Sequence, residues 1–175
     1  AYLCSQVELQ KARDRGLDVD HLQDTYTACI NKALEAKPAD MTITTHVCRG
    51  NFRSTWIASG GYEPVAENLL AKCNYDGYFL EYDSERAGGF EPLRFLPKGN
   101  KIVVLGLVTS KSGRLEPRAD IKKRIEEATK YVALDQLALS PQCGFASTEE
   151  GNVLAEEEQW SKLRMIVEVA EEVWG

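Results

Sequence analysis

Four side chains of this sequence are of the types that hold a soft divalent metal: His46, Cys48, Glu81 and Cys143. His46 and Cys48 stand two apart in the β-branched stretch MTITTHVC (41–48). Alternate residues of a strand project to one face, so the imidazole and the thiol point together. Glu81 lies near the end of the apolar stretch GYFLEYD (77–83), and Cys143 follows the short apolar run at 137–140 in the turn Pro141-Gln142-Cys143-Gly144. Thiolate is a soft ligand and imidazole a borderline one, and a carboxylate completes a tetrahedral donor set for Zn²⁺. The spacing is far wider than the paired knuckles of a zinc finger, so such a site depends on the whole fold and speaks for catalysis over local stapling. A plainer reading competes with it. Free cysteines are common core fillers, and a histidine can sit hydrogen-bonded in a core. Glu81 resists that reading, because an unpaired carboxylate in an apolar strand is costly and calls for a cation.

The elements that must position these residues follow from periodicity. The spacing predicts a helix over 20–37, with Leu22, Tyr26, Ala28, Cys29, Ala33 and Leu34 inward and Pro38 as its stop, then a strand over 41–48. A helix is expected over 62–72, a strand over 77–83, one helical turn at 91–96, and a strand over 101–108. The unbroken apolar run of that third strand predicts that both of its faces are covered. Pro117 opens a helix over 118–131 with Ile121, Ile125 and Ala128 inward. A short strand follows at 137–140. The acidic remainder to Trp174 reads as a helix, with Leu163, Ile166, Val167 and Ala170 at helical spacing and a solvated acidic face. Strand and helix alternate throughout, so the expected class is α/β with parallel βαβα units. Four such units are half of an eight-unit TIM barrel, with a four-stranded open sandwich as the structural alternative. Parallel strands with unprotected edges call for the other half of a barrel or a second copy. Active sites of parallel sheets collect at the C-terminal ends of the strands, where all four candidate ligands fall.

Composition narrows the classes. With 43% apolar and 27% charged residues among 175, the chain can bury a sizeable core and is read as one domain over 1–175. The net charge of −6 with no basic cluster leaves no footprint for nucleic acid. No segment has the roughly 20 uncharged apolar residues of a membrane span. The opening AYLCSQ lacks a signal pattern and an initiator Met, so the expectation is no export and a piece of something longer. Five widely spaced cysteines fit a reducing, cytoplasmic setting better than a disulfide framework.

The segments THVCRGN, YFLEYDSE and LSPQCGFAS resemble the cobalamin-independent methionine synthase family, and more closely its short relatives that keep only the catalytic barrel. The resemblance spans the whole chain but covers the second half of that barrel. It implies that His46, Cys48, Glu81 and Cys143 bind zinc, and that the reaction is methyl transfer, usually from 5-methyltetrahydrofolate with a polyglutamate tail, to the thiol of homocysteine. Zinc suits this chemistry, since a metal-bound sulfur is held as the nucleophilic thiolate. Glu81, the hardest ligand, is expected to yield to the incoming sulfur. Folate-using members carry a histidine in the loop after the third of these strands, which protonates the departing folate nitrogen. Here the loop is VTSKSG and the nearest match is Lys111. Either Lys111 does that work, or the methyl donor is a different one, as in corrinoid-linked or coenzyme M enzymes with similar barrels. A third alternative is a zinc-binding fragment without the substrate-binding half.

Other residues have smaller expected roles. Arg49, Asn51 and Arg53 could contact an anionic donor tail, against the default of solvated loop charge. Asp83, Ser84, Glu85 and Arg86 could orient Glu81. Trp56 could line a pterin-sized pocket or anchor its loop. Cys4, Cys29 and Cys73 are read as packing residues, and His21 as a surface residue.

Overall fold

The computed structural model describes residues 2–175. Two helices, α1 (Gln6–Asp14) and α2 (Val19–Leu34), precede the first strand. Strands β1 (Thr44–Val47), β2 (Gly77–Glu81), β3 (Ile102–Val108) and β4 (Leu137–Pro141) pair in parallel, side by side in chain order. Helix α3 (Arg118–Ala128) joins β3 to β4, and α4 (Glu156–Trp174) follows β4. The fold is therefore the expected α/β class with a parallel sheet.

The sheet has two unlike faces. Tyr78, Leu80, Val103, Leu105, Leu107 and Leu137 point to the helices and are at most 5% exposed. Ile121, Ile125 and Ala128 of α3 and Met165, Ile166 and Val169 of α4 complete that core. On the opposite face His46 and Phe79 stand in register, and both are exposed. The expectation that both faces of β3 are covered is thus corrected. Val103 and Leu105 are sealed, but Val104 is only half-buried, because no element among the described residues lies over the inner face. Leu105→Ala is expected to cost about 2–5 kcal/mol of stability. Phe79→Ser, at a ring 38% exposed, should cost less than about 1 kcal/mol. A urea titration of both variants measures the difference, and equal losses would mean that the inner face is packed too.

Local chemistry explains where the elements depart from the periodicity. Helix α1 carries no apolar stripe and buries only Leu9, and it is defined by its cap, with Ser5 Oγ accepting from the Glu8 N–H at 3.4 Å. Helix α2 starts at Asp18, whose carboxylate accepts from the Asp20 and His21 N–H groups at 3.2 and 3.0 Å. It buries Val19 and Thr27, while Tyr26, Ala28 and Cys29 are exposed, so the inward stripe is narrower than expected. The helix expected over 62–72 is a 3₁₀ turn at Glu63–Val65, with Pro64 at its start, followed by a wide π-type turn at Glu67–Lys72. Residues 41–43 lie outside the first strand's ladder. The inner face of α4 is Lys162, Met165, Ile166 and Val169, while Val167 is 56% exposed. Its acidic side is not wholly solvated. Glu172 pairs with Arg118 at 3.0 Å and Lys122 at 2.7 Å, fastening α4 to α3. Among the described residues no helix is long and apolar enough to cross a membrane.

Candidate metal centre

The C-terminal ends of β1 and β4 bring three of the predicted ligands together. The ligand atoms of His46, Cys48 and Cys143 all lie within 4.8 Å of one another. His46 and Cys48 leave β1 on the same face, as their spacing requires. The chain then turns at Gly50 (φ +99), where a Cβ would meet the Ile57 side chain at 2.5 Å, and the Gly50 N–H donates to Cys48 Sγ at 3.4 Å. Cys143 comes from a different crossover and adopts a left-handed backbone (φ 53), uncommon for a residue with a side chain. Its Sγ stands 3.6 Å from His46 Nε2. With Zn–S near 2.3 Å and Zn–N near 2.0–2.1 Å, a tetrahedral zinc sets such a pair about 3.6 Å apart. The donor types and this edge length both fit the ion.

The two thiols share their charge unequally. A hydrogen bond from Cys143 holds the Cys48 thiol down to about 3, against burial, with further help from His46 and the Gly50 N–H. The same hydrogen bond, together with burial and the nearby Cys48 and Glu81 charges, pushes the Cys143 thiol up. In the metal-free chain one thiolate and one thiol therefore face His46.

Glu81 is 1% exposed and heavily restrained. Its Oε2 accepts from the Arg49 backbone N–H at 2.7 Å and from Gln142 Nε2 at 2.9 Å, and its Oε1 accepts from Arg86 at 2.9 Å. The carboxylate lines the same cavity of about 450 Å³ as His46, Cys48, Asn51 and Cys143, but stands outside the three-residue cluster. Gly106, paired with Glu81 in the ladder, lines that cavity as well. A Cβ on it would come within 2.9 Å of the Leu80 carbonyl and 3.3 Å of Gln142 Cα, so a side chain there would displace the turn that carries Cys143.

The surrounding residues take places the sequence only partly foretold. Arg49 is fully buried, its guanidinium donating to the Gly60 carbonyl (2.8 Å from Nε) and lying 4.2 Å from the Tyr62 ring centroid. That corrects its expected contact with a donor tail: the side chain braces the β1 loop from within, and its backbone N–H serves Glu81. Asn51 faces the cavity and ties the first loop to the last, donating to the Gly144 carbonyl at 2.7 Å and Ser147 Oγ at 2.8 Å. Arg86 orients Glu81, as anticipated, and bonds Asp83 at 3.4 Å, while its guanidinium stacks 3.7 Å from the Trp56 ring centroid. Ser84 makes no hydrogen bond to Glu81, and its Oγ is buried without a partner. Lys111 is 8% exposed and donates to Gln142 Oε1 at 2.6 Å. Gln142, 1% exposed, joins Lys111, Glu81 and Cys143, a role the sequence reading missed although the residue adjoins a ligand in the PQCG turn. Cys4 and Cys73 are buried as expected, but Cys29 is exposed. All five cysteines are free.

Residues 13–172 match the family model described as cobalamin-independent synthase, catalytic domain. Two curated relatives are the uncharacterized proteins YxjG and YxjH of Bacillus subtilis (strain 168). YxjG is 55% identical over 174 residues (99% of this chain, 46% of its own length), and YxjH 57% identical over 162 residues (93% and 43%). The chain thus spans less than half the length of either. Among solved structures, a Listeria monocytogenes protein assigned as a vitamin-B12 independent methionine synthase superposes with a TM-score of 0.76 at 49% identity, covering 99% of this chain and 45% of that one. A B12-independent methionine synthase from Shewanella sp. W3-18-1, solved with selenomethionine, has a TM-score of 0.69 at 23% identity, covering 88% and 44%, a likeness of fold. By the extent of the family match and these identities, the chain belongs to the family of cobalamin-independent synthase catalytic domains.

Proposed function

We propose that this chain carries the metal-binding half of a zinc-dependent methyltransferase, which moves a methyl group from 5-methyltetrahydrofolate to the thiol of homocysteine to give methionine. The observation that carries the reading is the convergence of His46, Cys48 and Cys143 from two strands onto one cavity, at distances suited to tetrahedral zinc. Bound there, zinc would supply the positive charge that keeps a substrate thiol deprotonated near neutral pH. The protein's part is to hold the ligands and tune their charge. Two thiolates, Glu81 as fourth ligand and a divalent ion sum to −1, which leaves an incoming sulfur electron-rich. Glu81 would be the hardest of the four donors and so the most readily exchanged, and Arg86 and the Arg49 N–H already hold its carboxylate in the metal-free chain. Asn51 and Ser84 are proposed to contact the substrates: Asn51 faces the cavity, and both Asn51 Oδ1 and Ser84 Oγ are buried acceptors without partners. The uncovered inner face of the sheet, with the greater length of the relatives, supports a need for further strands or a second copy to complete the substrate pocket. A reducing compartment such as the cytoplasm would keep the ligating cysteines as thiols.

Two measurements test this. The purified chain should retain close to one zinc per molecule in metal-free buffer, and a chain without affinity for zinc would remove the reading. Mixed with a polypeptide supplying the rest of a relative's length, it should form methionine from homocysteine and 5-methyltetrahydrofolate. Methionine formed only from another methyl carrier would overturn the donor.

A further inference from the structure

Gln142 is sealed between two charges of opposite sign. Its Oε1 accepts from Lys111 Nζ at 2.6 Å, and its Nε2 donates to Glu81 Oε2 at 2.9 Å and makes a close contact with Cys143 Sγ. The backbone around it is fixed as well, its N–H donating to the Val108 carbonyl at 2.7 Å and its carbonyl accepting from Ser110 Oγ at 2.6 Å. An ammonium can only donate and an ionised carboxylate can only accept. With Lys111 on one side and Glu81 on the other, a single orientation of the amide satisfies both. Reversal would set the NH₂ group against the ammonium and the carbonyl against the carboxylate, forfeiting two charge-assisted hydrogen bonds where water is excluded.

We infer that Gln142 is a positioning residue of the metal centre, locked in one amide orientation by Lys111, and that it tunes the Cys143 sulfur through an N–H···S hydrogen bond. The inference rests on the zinc reading above and adds to it a task for Lys111 other than proton donation. A thiolate that accepts a hydrogen bond gives up electron density. It is thereby held as a ligand and made a poorer nucleophile than a substrate sulfur bearing no such donor. Cys48 has a counterpart in the Gly50 N–H at 3.4 Å, so both protein sulfurs carry a donor. In a reaction that delivers a methyl group among several sulfurs, this arrangement directs the group to the substrate and spares the ligands.

Cobalt(II) in place of zinc gives the test, because its thiolate charge-transfer absorption reports the electron density on sulfur. Gln142→Leu, similar in volume and unable to donate, should move that band to lower energy and weaken zinc binding by about 10–100-fold in a chelator competition. Lys111→Met should shift the band in the same direction, and Lys111→Arg, which keeps a donor, should leave it in place. The double variant Lys111→Met/Gln142→Leu should show no more than the Gln142→Leu shift, since one residue acts through the other. A band and a zinc affinity unchanged in Gln142→Leu would overturn the inference while leaving the zinc site standing. Should that variant fail to fold, Lys111→Met carries the same spectral test, and an unmoved band there refutes the locking of the amide. A parent chain that binds neither cobalt nor zinc would overturn the zinc reading and this inference together.

Discussion

Cys143→Ser and Cys48→Ser should each strip the chain of zinc, whereas Cys29→Ser and Cys73→Ser should leave the metal content of the parent. A hydroxyl is a hard donor that stays protonated at neutral pH, so replacing either sulfur removes a ligand and a negative charge at one stroke. The loss should exceed the roughly 10–100-fold seen when a residue that only orients a ligand is removed. Cys73 provides a buried comparison at a distance from the site, near Thr27 of α2, and Cys29 an exposed one. In the metal-free parent Cys48 is held ionised, its thiol down at about 3, and Cys143 is held protonated. Zinc loading at pH 7 should therefore displace about one proton per metal from the Cys48–Cys143 pair. Elemental analysis of the variants and a proton-release titration of the parent check both statements. Full zinc in either ligand variant would show that the ion is held elsewhere.

How much of this was legible in the sequence varies with the kind of interaction. The parallel sheet and the strand-end position of all four candidate ligands follow from period and order. His46 and Cys48 come together for the same reason, since a two-residue spacing on a strand leaves no choice of face. Cys143 was legible as a candidate by residue type and strand-end position, but its approach to His46 depends on a left-handed backbone at its own position and on the register shift of β3 against β4 between Gly106 and Val108. No periodicity encodes either feature. Arg49 shows the opposite failure. A charged residue between a cysteine and a glycine reads as a solvated loop, yet it is fully buried because the Gly60 carbonyl and the Tyr62 ring receive its guanidinium across the loop. Gln142 was invisible for a related reason. An uncharged amide gives no signal until the groups on both of its sides are known, and here those are Lys111 and Glu81, from two other strand ends. The second face of β3 was misread because an apolar run reports what a strand can bury and not what this length of chain supplies to cover it.

Gly60→Ala should be among the most damaging single substitutions in the chain, although it adds one methyl group far from any ligand in sequence. Gly60 has φ +133, a conformation that residues with side chains rarely adopt, and a Cβ there would drive into the backbone carbonyl of Cys4. A carbonyl of the main chain cannot rotate aside, so either the N-terminal segment lifts away or the loop after β1 shifts. The same residue accepts the buried Arg49 guanidinium through its carbonyl and donates its N–H to the Arg86 carbonyl at 3.1 Å. Moving it would take from Arg49 the carbonyl that accepts from both its Nε and one terminal nitrogen, leaving the longer bond to the Cys48 carbonyl, which adds a desolvation cost to the clash. The expected loss is about 3 kcal/mol or more, which for a chain of this size lowers Tm by about 6–12 °C. Gly16→Ala separates the two causes. Gly16 also has positive φ (+80), but a Cβ there meets nothing within 4 Å, so that variant bears the backbone strain alone, about 1–2 kcal/mol. Thermal unfolding of the two variants beside the parent measures the difference. If Gly60→Ala loses no more than Gly16→Ala, the first loop is not pinned from beneath, and Arg49, Glu81 and Arg86 must owe their placement to the sheet alone.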